Sequence, residues 1–317
     1  MNKKKKLTLA AVITALATLI LYILNKLLFF TATMKETLFS NHGNYYAWRF
    51  GKIFYTKQGE GSPLLLVHDL NPISSDYEWK EVIHRLKKNH TVYTLDLLGC
   101  GRSDKPRMTY TSYLYVQLLL DFCKQIIKEP TDIVVTGHAA QSVLMAGSID
   151  GSFFNNIILV NPDNLTDTGK YPKYKHKALQ FLLNIPIIGT FIYNTAVTRN
   201  MIEEDFEYRY FGSRTKVPEK YIDAYHEAAH LGGSSAKYLY SSIRCRYTNT
   251  SVPVALKKIN HNIIIFGGES VPKIKNTIAQ YQNYNLSIEA VSLKGCGYLP
   301  QLEFPQRFCE NLEIYLK

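Results

Sequence analysis

The chain has 317 residues, 46% of them hydrophobic, which excludes an intrinsically disordered protein and allows one large α/β core. Its 37 Lys and Arg against 26 Asp and Glu give a net charge of +11, which suits an anionic membrane surface or nucleic acid as a neighbour. The five cysteines form neither a CxxC pair nor a dense framework. We expect buried thiols, although Cys100 and Cys296 both lie in Gly-rich turns that could meet.

The N-terminus favours the membrane over nucleic acid. Lysines at positions 3 to 6 precede an uncharged apolar run from Leu7 to Leu24, which continues two residues later as LLFF. This run is long enough to cross a ~30 Å hydrocarbon core as a helix, so residues 1–30 are predicted to be a basic N-terminus and a transmembrane anchor. A cleaved signal peptide is the alternative, but FFTATMKE is a poor cleavage site. The lysines predict a cytoplasmic N-terminus in the cell membrane, with the bulk of the chain outside.

Alternating strand and helix patterns follow a polar connector at residues 31–43. NYYAWRF and GKIFYTKQG are predicted to be two extended segments joined at Gly51. Four apolar runs, separated by helical patterns, then have the composition of strands buried on both faces of a parallel sheet: SPLLLVHDL, TVYTLDLLG, TDIVVTGHA and FNNIILVNP. This alternation predicts a doubly wound, mostly parallel α/β sheet.

Residues 163–250 interrupt the alternation, which returns with HNIIIFGGE and LSIEAVSL. We therefore assign residues 44–162 and 251–317 to the core, and 163–250 to an inserted helical cap over the edge of the sheet where open α/β folds bind ligands. Within the cap, ALQFLLNIPIIGTFIYNTAV is interpreted as a lid helix pair rather than a second membrane span, because Pro186 and Gly189 interrupt it. The pair could rest on the membrane interface or admit an acyl-like ligand; the alternative is that it simply closes the core.

Four motifs in a fixed order carry a resemblance that covers the chain from Asn44 to Lys317. They are PLLLVHDLNP, DLLGCGRSDKP, TGHAAQS and GCGYLPQLEFP. Together with the order of elements, they resemble the α/β-hydrolase fold family in its capped, esterase- and lipase-like form. The resemblance implies a nucleophile on a strained turn between a strand and a helix, a base histidine after the last strand, an acid, and backbone donors for an oxyanion.

The residues that match this machinery differ from it. The family's G-x-S-x-G pattern matches GHAAQ, so Ala139 stands where the nucleophile is expected and offers no atom that can attack a carbonyl. Tyr298 replaces the base histidine, and a tyrosine is protonated at neutral pH. The acid position falls on Ser270, with Glu269 and Asp163 as candidate acids. The resemblance therefore implies a degenerate catalytic triad.

The expected oxyanion site is altered too. His68, Asp69 and Leu70 stand where the family has His-Gly and a backbone donor, and the Asp69 carboxylate would repel a developing negative charge. The backbone N–H groups of Leu70 and Ala140 remain the expected donors. His68 and His138 lie beside this pocket, and we expect them to be hydrogen-bonded into their loops rather than catalytic.

A short metal motif is also present. HEAAH, residues 226–230, matches the H-E-x-x-H zinc pattern, but no Asp or Glu lies between Leu231 and Gly268 to serve as a third ligand. We therefore expect no metal here, and nothing in the sequence calls for an organic cofactor.

These patterns predict a membrane-anchored protein of the α/β-hydrolase fold that lacks serine-triad hydrolysis. We expect it to bind a small apolar or lipid-like ligand, or a protein partner, and not nucleic acid. The alternative is an active enzyme of the same fold, either an esterase- or lipase-like hydrolase or a lyase-like enzyme that needs no serine.

Overall fold

The fold is built on one eight-stranded sheet. A computed structural model describes residues 3–213 and 217–316 of the chain. The strands of the sheet are β1 Gly43–Trp48, β2 Gly51–Gln58, β3 Ser62–Val67, β4 His90–Leu95, β5 Thr131–Thr136, β6 Phe154–Val160, β7 Ile263–Gly268 and β8 Glu289–Leu293. They lie in the order β1-β2-β4-β3-β5-β6-β7-β8. β1 and β2 form the predicted antiparallel hairpin, β2 is antiparallel to β4, and the neighbours from β4 to β8 are parallel. The predicted fold is confirmed.

The central strands are apolar on both sides because helices cover both faces of the sheet. In β3, Leu64 and Leu66 face one core cluster while Leu65 and Val67 face another, and all four are fully buried. This division follows from the two-residue period of a strand. Each buried leucine stabilises the fold by about 1.5–3 kcal/mol, so the core fixes β3, β5 and β6 side by side with their carboxyl ends together.

Helices alternate with these strands as the sequence predicts. They are α1 Lys3–Thr33, α2 Lys80–Leu86, α3 Ser112–Phe122, α4 Ala140–Ile149, α5 Leu165–Thr168, α6 Tyr174–Asn184, α7 Ile188–Ala196, α8 Arg199–Asp205, α9 Glu219–His230, α10 Lys237–Arg244, α11 Pro253–Lys258, α12 Ile274–Gln282, α13 Pro300–Glu303 and α14 Pro305–Leu312. On one face α3 and α4 pack together, and on the other α2 packs against α14.

The segment between β6 and β7 carries helices α5 to α11 and has its own apolar cluster. Tyr193, Phe206 and Tyr225 form part of that cluster, together with Leu299 and Leu302 from the chain after β8. In this segment α6 and the helical stretch Ile188–Tyr210, which begins with α7, are bent by 101° instead of forming one straight span. The predicted helix pair is therefore present, and its break falls at the predicted proline.

Helix α1 is long and apolar enough to cross a membrane, with a mean hydropathy of 2.5 over a stretch in which no residue is buried. Its last turns are different, because they contact α7 and α9. Asn25 is 4% exposed there; its Nδ2 donates to the Ile187 carbonyl (3.2 Å), and its Oδ1 accepts from Asn194 Nδ2 (2.9 Å). The helix continues to Thr33, three residues past the predicted anchor.

All five cysteines are buried free thiols. Cys100 and Cys296 therefore do not form the disulfide that their turns allowed, and burial raises the pKa of Cys296 to about 11. The sulfur of Cys100 donates to the Asn71 carbonyl at 3.4 Å. These thiols are core side chains, as expected.

Candidate functional site

The turn after β5 contains the residues that the sequence matched to a nucleophile elbow. β5 ends at Thr136, Gly137–Ala139 make a tight turn, and α4 begins at Ala140. The left-handed backbone falls on Gly137, with φ of 57°, whereas Ala139 has helical angles of −68° and −22°. Glycine adopts a positive φ without strain, so the chain reverses there, two residues before the position taken from the pattern. Ala139 is 1% exposed and packs into the core.

Two polar groups stand directly over Gly137. A Cβ atom added to this glycine would lie 1.8 Å from the Tyr298 hydroxyl oxygen and 2.5 Å from Asp69 Oδ1. Real side chains do not approach this closely, so the turn has no room for a side chain at Gly137 unless both neighbours move. The structure thus brings together Gly137, Asp69 and Tyr298, and the space in front of the turn is filled.

Asp69 points its carboxyl group at the turn. Its Oδ1 accepts a hydrogen bond of 2.8 Å from the backbone N–H of His138, the residue after Gly137. Burial raises the pKa of Asp69, and the charge of Asp163 adds to this, while His138 and Arg209 oppose it. The expected donor at Ala140 is not available, because its N–H already bonds to the Gly137 carbonyl. Leu70, the other expected donor residue, is a buried core residue.

Tyr298, the residue matched to the base histidine, stands over the turn with its hydroxyl. It is buried, its ring stacks on that of Tyr210 (5.9 Å, 26°), and the Arg209 guanidinium lies 5.0 Å from the ring centre. Burial raises the pKa of Tyr298 well above its ordinary value, and the charge of Asp69 raises it further. Two backbone bonds, Tyr298 N to Arg209 O (3.1 Å) and Leu299 N to Tyr210 O (3.0 Å), hold this loop against the β6–β7 segment.

Glu78 is a buried acid that bonds to the backbone of Asp69 and that no sequence motif indicated. Glu78 is fully buried; its Oε2 accepts from the Asp69 N–H (3.2 Å) and its Oε1 from Gln301 Nε2 (2.9 Å). Burial raises the pKa of Glu78 to about 8, with a further rise from the Asp69 charge, so it is largely neutral at pH 7. Gln301 Oε1 has no hydrogen-bond partner among the described residues, and a turned-over amide would let it accept the Glu78 proton.

Replacing Glu78 with glutamine is expected to flatten the pH dependence of stability. The pKa of about 8 in the fold lies above the ordinary value of 4.5, so the stabilisation is full below that ordinary value and is lost as pH rises toward 8. Each pH unit in this window lowers the free energy of unfolding by up to about 1.4 kcal/mol. Urea denaturation of the wild type, Glu78→Gln and the exposed control Glu60→Gln across the window measures this. Equal slopes for all three would contradict a neutral Glu78.

His138 lies in a row of three polar side chains. Its Nδ1 is 2.6 Å from Asp163 Oδ2, and its Nε2 is 2.9 Å from Thr248 Oγ1. Burial lowers the pKa of His138, but the hydrogen bond and charge of Asp163, with the charge of Asp69, raise it overall. Asp163 is thus the candidate acid that the structure brings to the site. Thr248 is fully buried, and no motif pointed to it.

Removing the Asp163 charge is expected to lower the pKa of His138 below its ordinary 6.5, because burial would then outweigh the remaining charge of Asp69. Asparagine at this position keeps an oxygen that accepts the Nδ1 proton, so the ring should stay in place. An NMR titration of the histidine rings in Asp163→Asn measures the shift, with the exposed Asp167→Asn as control. An unchanged His138 pKa in Asp163→Asn would show that the ion pair does not hold the proton.

The other predicted residues lie outside this constellation. His68 is fully buried, its Nδ1 bonds to the Asp69 carbonyl (2.7 Å), and its Nε2 accepts from Leu97 N (3.0 Å). Burial lowers the pKa of His68, so it is a neutral loop residue. Ser270 and Glu269 are exposed; Ser270 N donates to the Cys296 carbonyl (3.0 Å), and Glu269 Oε1 accepts from Ser292 (3.1 Å).

The HEAAH motif lies in α9 and bonds to the connector after α1. Glu227 accepts a hydrogen bond of 2.6 Å from the Thr37 N–H, so its carboxylate faces the chain that leaves α1. The rings of His226 and His230 lie with their centres 4.5 Å apart and their planes tilted by 55°, and burial lowers the pKa of His226 to about 4. Within residues 3–213 and 217–316, no group of three His, Cys, Asp or Glu side chains is placed to hold a metal ion.

A mostly parallel sheet with this strand order and a sharp turn after β5 defines the class of protein. The chain belongs to the alpha/beta hydrolase family, whose model matches residues 64–311. A 2-hydroxy-6-oxo-6-(2'-aminophenyl)hexa-2,4-dienoic acid hydrolase of Metapseudomonas resinovorans is 34% identical over 71 residues, 22% of this chain and 24% of that protein. A haloalkane dehalogenase of Agrobacterium fabrum is 38% identical over 63 residues, 20% of each chain. The match thus spans about a quarter or less of these curated relatives.

Solved structures share the fold over most of the chain. A probable hydrolytic enzyme from Pseudomonas aeruginosa PAO1 superposes with a TM-score of 0.70 at 15% identity, covering 87% of this chain and 94% of that one. A membrane phospholipase A described as a bacterial virulence factor superposes with a TM-score of 0.67 at 17% identity, covering 98% and 97%. At these identities the likeness establishes the fold alone.

Proposed function

We propose that this chain is a membrane-held protein of the α/β-hydrolase fold that lacks serine-triad hydrolysis and binds an apolar or lipid-like ligand or a protein partner. The observation that carries the proposal is the residue at the turn. Gly137 has the left-handed backbone at the strand-to-helix turn where this fold presents its nucleophile, and glycine has no side chain. Ala139, the residue matched by pattern, has no attacking atom either.

Two further features support the absence of hydrolysis. The N–H that follows the turn, on His138, already donates to Asp69 Oδ1, so it is not free to stabilise a tetrahedral oxyanion. Tyr298, in place of the base, keeps its proton at neutral pH. Loss of the nucleophile alone leaves only residual catalysis in a complete site, and here the three components are changed together.

The membrane placement rests on α1. Its exposed leucine, isoleucine and valine side chains form an apolar surface far larger than a soluble monomer tolerates, and four lysines flank one end. The phospholipase superposition covers 98% of this chain, so a counterpart of most of α1 is present there. In this arrangement the N-terminus is cytoplasmic, the β6–β7 segment is a cap, and the folded body lies outside. Alkaline carbonate extraction and protease accessibility of a C-terminal tag in intact cells test the anchor and its orientation.

Ester hydrolysis by the full chain tests the proposal. We expect p-nitrophenyl butyrate and octanoate to be cleaved no faster than by heat-denatured protein, because the turn offers no nucleophile. Hydrolysis well above that level, lost on denaturation and absent from a mock purification, would overturn it.

One observation favours the enzyme alternative. Thr248, His138 and Asp163 form a hydroxyl–imidazole–carboxylate row with the spacing of a catalytic triad (2.9 and 2.6 Å). Thr248 is fully buried, so a substrate would reach it only after the surrounding segment opened. If esterase activity is found, Thr248→Val and His138→Gln should abolish it under this alternative, and activity that survives both would exclude the row as its source.

A further inference from the structure

A cavity of about 610 Å³ lies where α1 meets the β6–β7 segment, and it is the largest of the five cavities characterised in the described part of the chain. Tyr22, Lys26 and Phe29 line it from α1. The turn before α7 lines it at Ile187, and the start of α10 lines it at Lys237. It is separate from the turn at Gly137, since none of the residues over that turn lines it.

The cavity lies at the depth of lipid headgroups if α1 spans the membrane, as proposed above. The uncharged run of α1 ends at Leu24, and the lining residues begin at Tyr22 and continue over the next two turns. Tyrosine and lysine at the end of a span are the side chains that prefer the membrane–water interface. The cavity therefore adjoins the bilayer surface on the side of the folded body.

Its charge is of one sign. Lys26, Arg107 and Lys237 line it, whereas no Asp or Glu does, and none of the three forms an ion pair within residues 3–213 and 217–316. Lys237 is only 2% exposed; its Nζ donates to the carbonyls of Ile185 (2.8 Å) and Asn184 (3.3 Å). Burying a cation without a counter-charge is unfavourable, and an anion in the cavity would relieve this.

The rim is held in a strained conformation. Ile187 has φ of 62° and ψ of −59°, and Ile188 N donates to the Pro186 carbonyl at 2.7 Å, which makes a γ-turn centred on a β-branched residue. Asn25 of α1 donates to the Ile187 carbonyl and fixes the turn against the membrane helix. Strain of this kind persists where the surroundings over-determine it, and it is concentrated at ligand sites.

Apolar side chains continue outward from the rim. Phe181 and Leu182 near the end of α6 and Ile188 at the start of α7 are 74%, 43% and 48% exposed, and they flank the strained turn. The apolar surface of α1 is exposed below them. A ligand that places an anionic group among the three cations would therefore have apolar surface on which to lay acyl chains.

We propose that this cavity binds the headgroup of an anionic phospholipid, with the phosphate near Lys26, Arg107 and Lys237 and the acyl chains along α1 and the α6–α7 turn. A free phosphate has the same charge chemistry but would leave most of the cavity unfilled and would make no use of the apolar rim. The bound lipid would fix the folded body against the membrane surface.

Native mass spectrometry of the full chain, released from neutral detergent with added lipid, tests this. Phosphatidylglycerol should bind at least about tenfold more tightly than phosphatidylcholine with the same acyl chains, and Lys26→Gln/Arg107→Gln should lose about tenfold in affinity for phosphatidylglycerol. Lys26 and Arg107 are both exposed, so the double variant should fold. Its melting temperature, compared with that of the wild type, checks this. Lys35→Gln, close to the same end of α1 but outside the cavity, removes a lysine that is paired with Asp223 (2.7 Å) and should change the affinity less than about twofold.

Three results would overturn the proposal: equal affinity for the two lipids, unchanged binding in the double variant, or inorganic phosphate that competes as strongly as the lipid. If α1 instead proved not to be an integral membrane segment, carbonate extraction would release the wild type. That outcome concerns the membrane placement, whereas loss of lipid selectivity with α1 still integral concerns the cavity alone.

Discussion

Replacing Arg102 with methionine is expected to lower the free energy of unfolding by about 3–5 kcal/mol, because it leaves two buried carboxylates without their cation. Arg102 Nε donates to Asp96 Oδ2 at 2.8 Å, its backbone N donates to the same oxygen at 2.7 Å, and a second guanidinium nitrogen bonds to Asp76. Nη1 also donates to the Leu38 carbonyl (2.9 Å), and the guanidinium lies 3.6 Å from the centre of the Phe54 ring. The loop after β4 and the connector after α1 are thus joined at one side chain.

The loss of stability in Arg102→Met should depend on pH, and Arg85→Met serves as its control. Burial and the Asp96 charge raise the pKa of Asp76 to about 6 even beside Arg102, and in Arg102→Met the two carboxyls should take up protons more readily. The loss should therefore be smaller at pH ~5 than at pH ~8, as measured by urea denaturation of the full chain in detergent. Arg85 makes a bidentate ion pair with Glu313 on the surface, and Arg85→Met should lower the free energy of unfolding far less than Arg102→Met does. Similar losses for the two variants would contradict a structural role specific to the buried pair.

Replacing Gly137 with alanine should lower the free energy of unfolding nearly as much as Arg102→Met. In Gly137→Ala the new Cβ would meet the Tyr298 hydroxyl at 1.8 Å, on a residue with φ of 57°, and we expect a loss of roughly 2–4 kcal/mol from the clash and the backbone conformation together. Gly295 separates the two causes, since it has φ of 68° but nothing within 4 Å of an added Cβ. Gly295→Ala should cost about 1 kcal/mol, from the backbone alone.

A double-mutant cycle then tests the contact itself. Removing the hydroxyl with Tyr298→Phe should recover at least about 1 kcal/mol of the loss in Gly137→Ala, because it deletes the atom nearest to the new Cβ. Additive effects of the two substitutions would show that Tyr298 does not stand over Gly137. Melting temperatures of the four proteins in the same detergent give the comparison.

The sheet could be predicted from the sequence because its signals are local. β3 to β7 are short apolar runs separated by helical patterns, and the Gly51 hairpin has its own turn residue, so element type and order followed. The apolar helix at the N-terminus could be predicted in the same way. The contacts of its last turns could not be predicted, because Asn25 bonds to Asn194 and Ile187, which are more than 160 positions away in the chain.

The site could be predicted only in part, for two physical reasons. GHAAQ matches the spacing of a family pattern, but the backbone reverses where glycine permits a positive φ, so the turn falls on Gly137 instead of Ala139. The other reason is distance along the chain: Thr248 and Glu78 reach the site through contacts that no short motif encodes. Asp163 was among the candidate acids because the resemblance implies that some members of the family place their acid just after this strand.

Labelling of the full chain by a fluorophosphonate probe, followed by intact-protein mass spectrometry, shows whether the native protein has an activated serine or threonine. With Gly137 at the turn and Asp69 on the N–H that follows it, we predict no adduct, and the same spectrum for native and heat-denatured protein. A serine hydrolase of the same fold, labelled in parallel, shows that the probe is active. A stoichiometric adduct on one serine or threonine of the native chain, lost on denaturation, would contradict the account and identify the nucleophile.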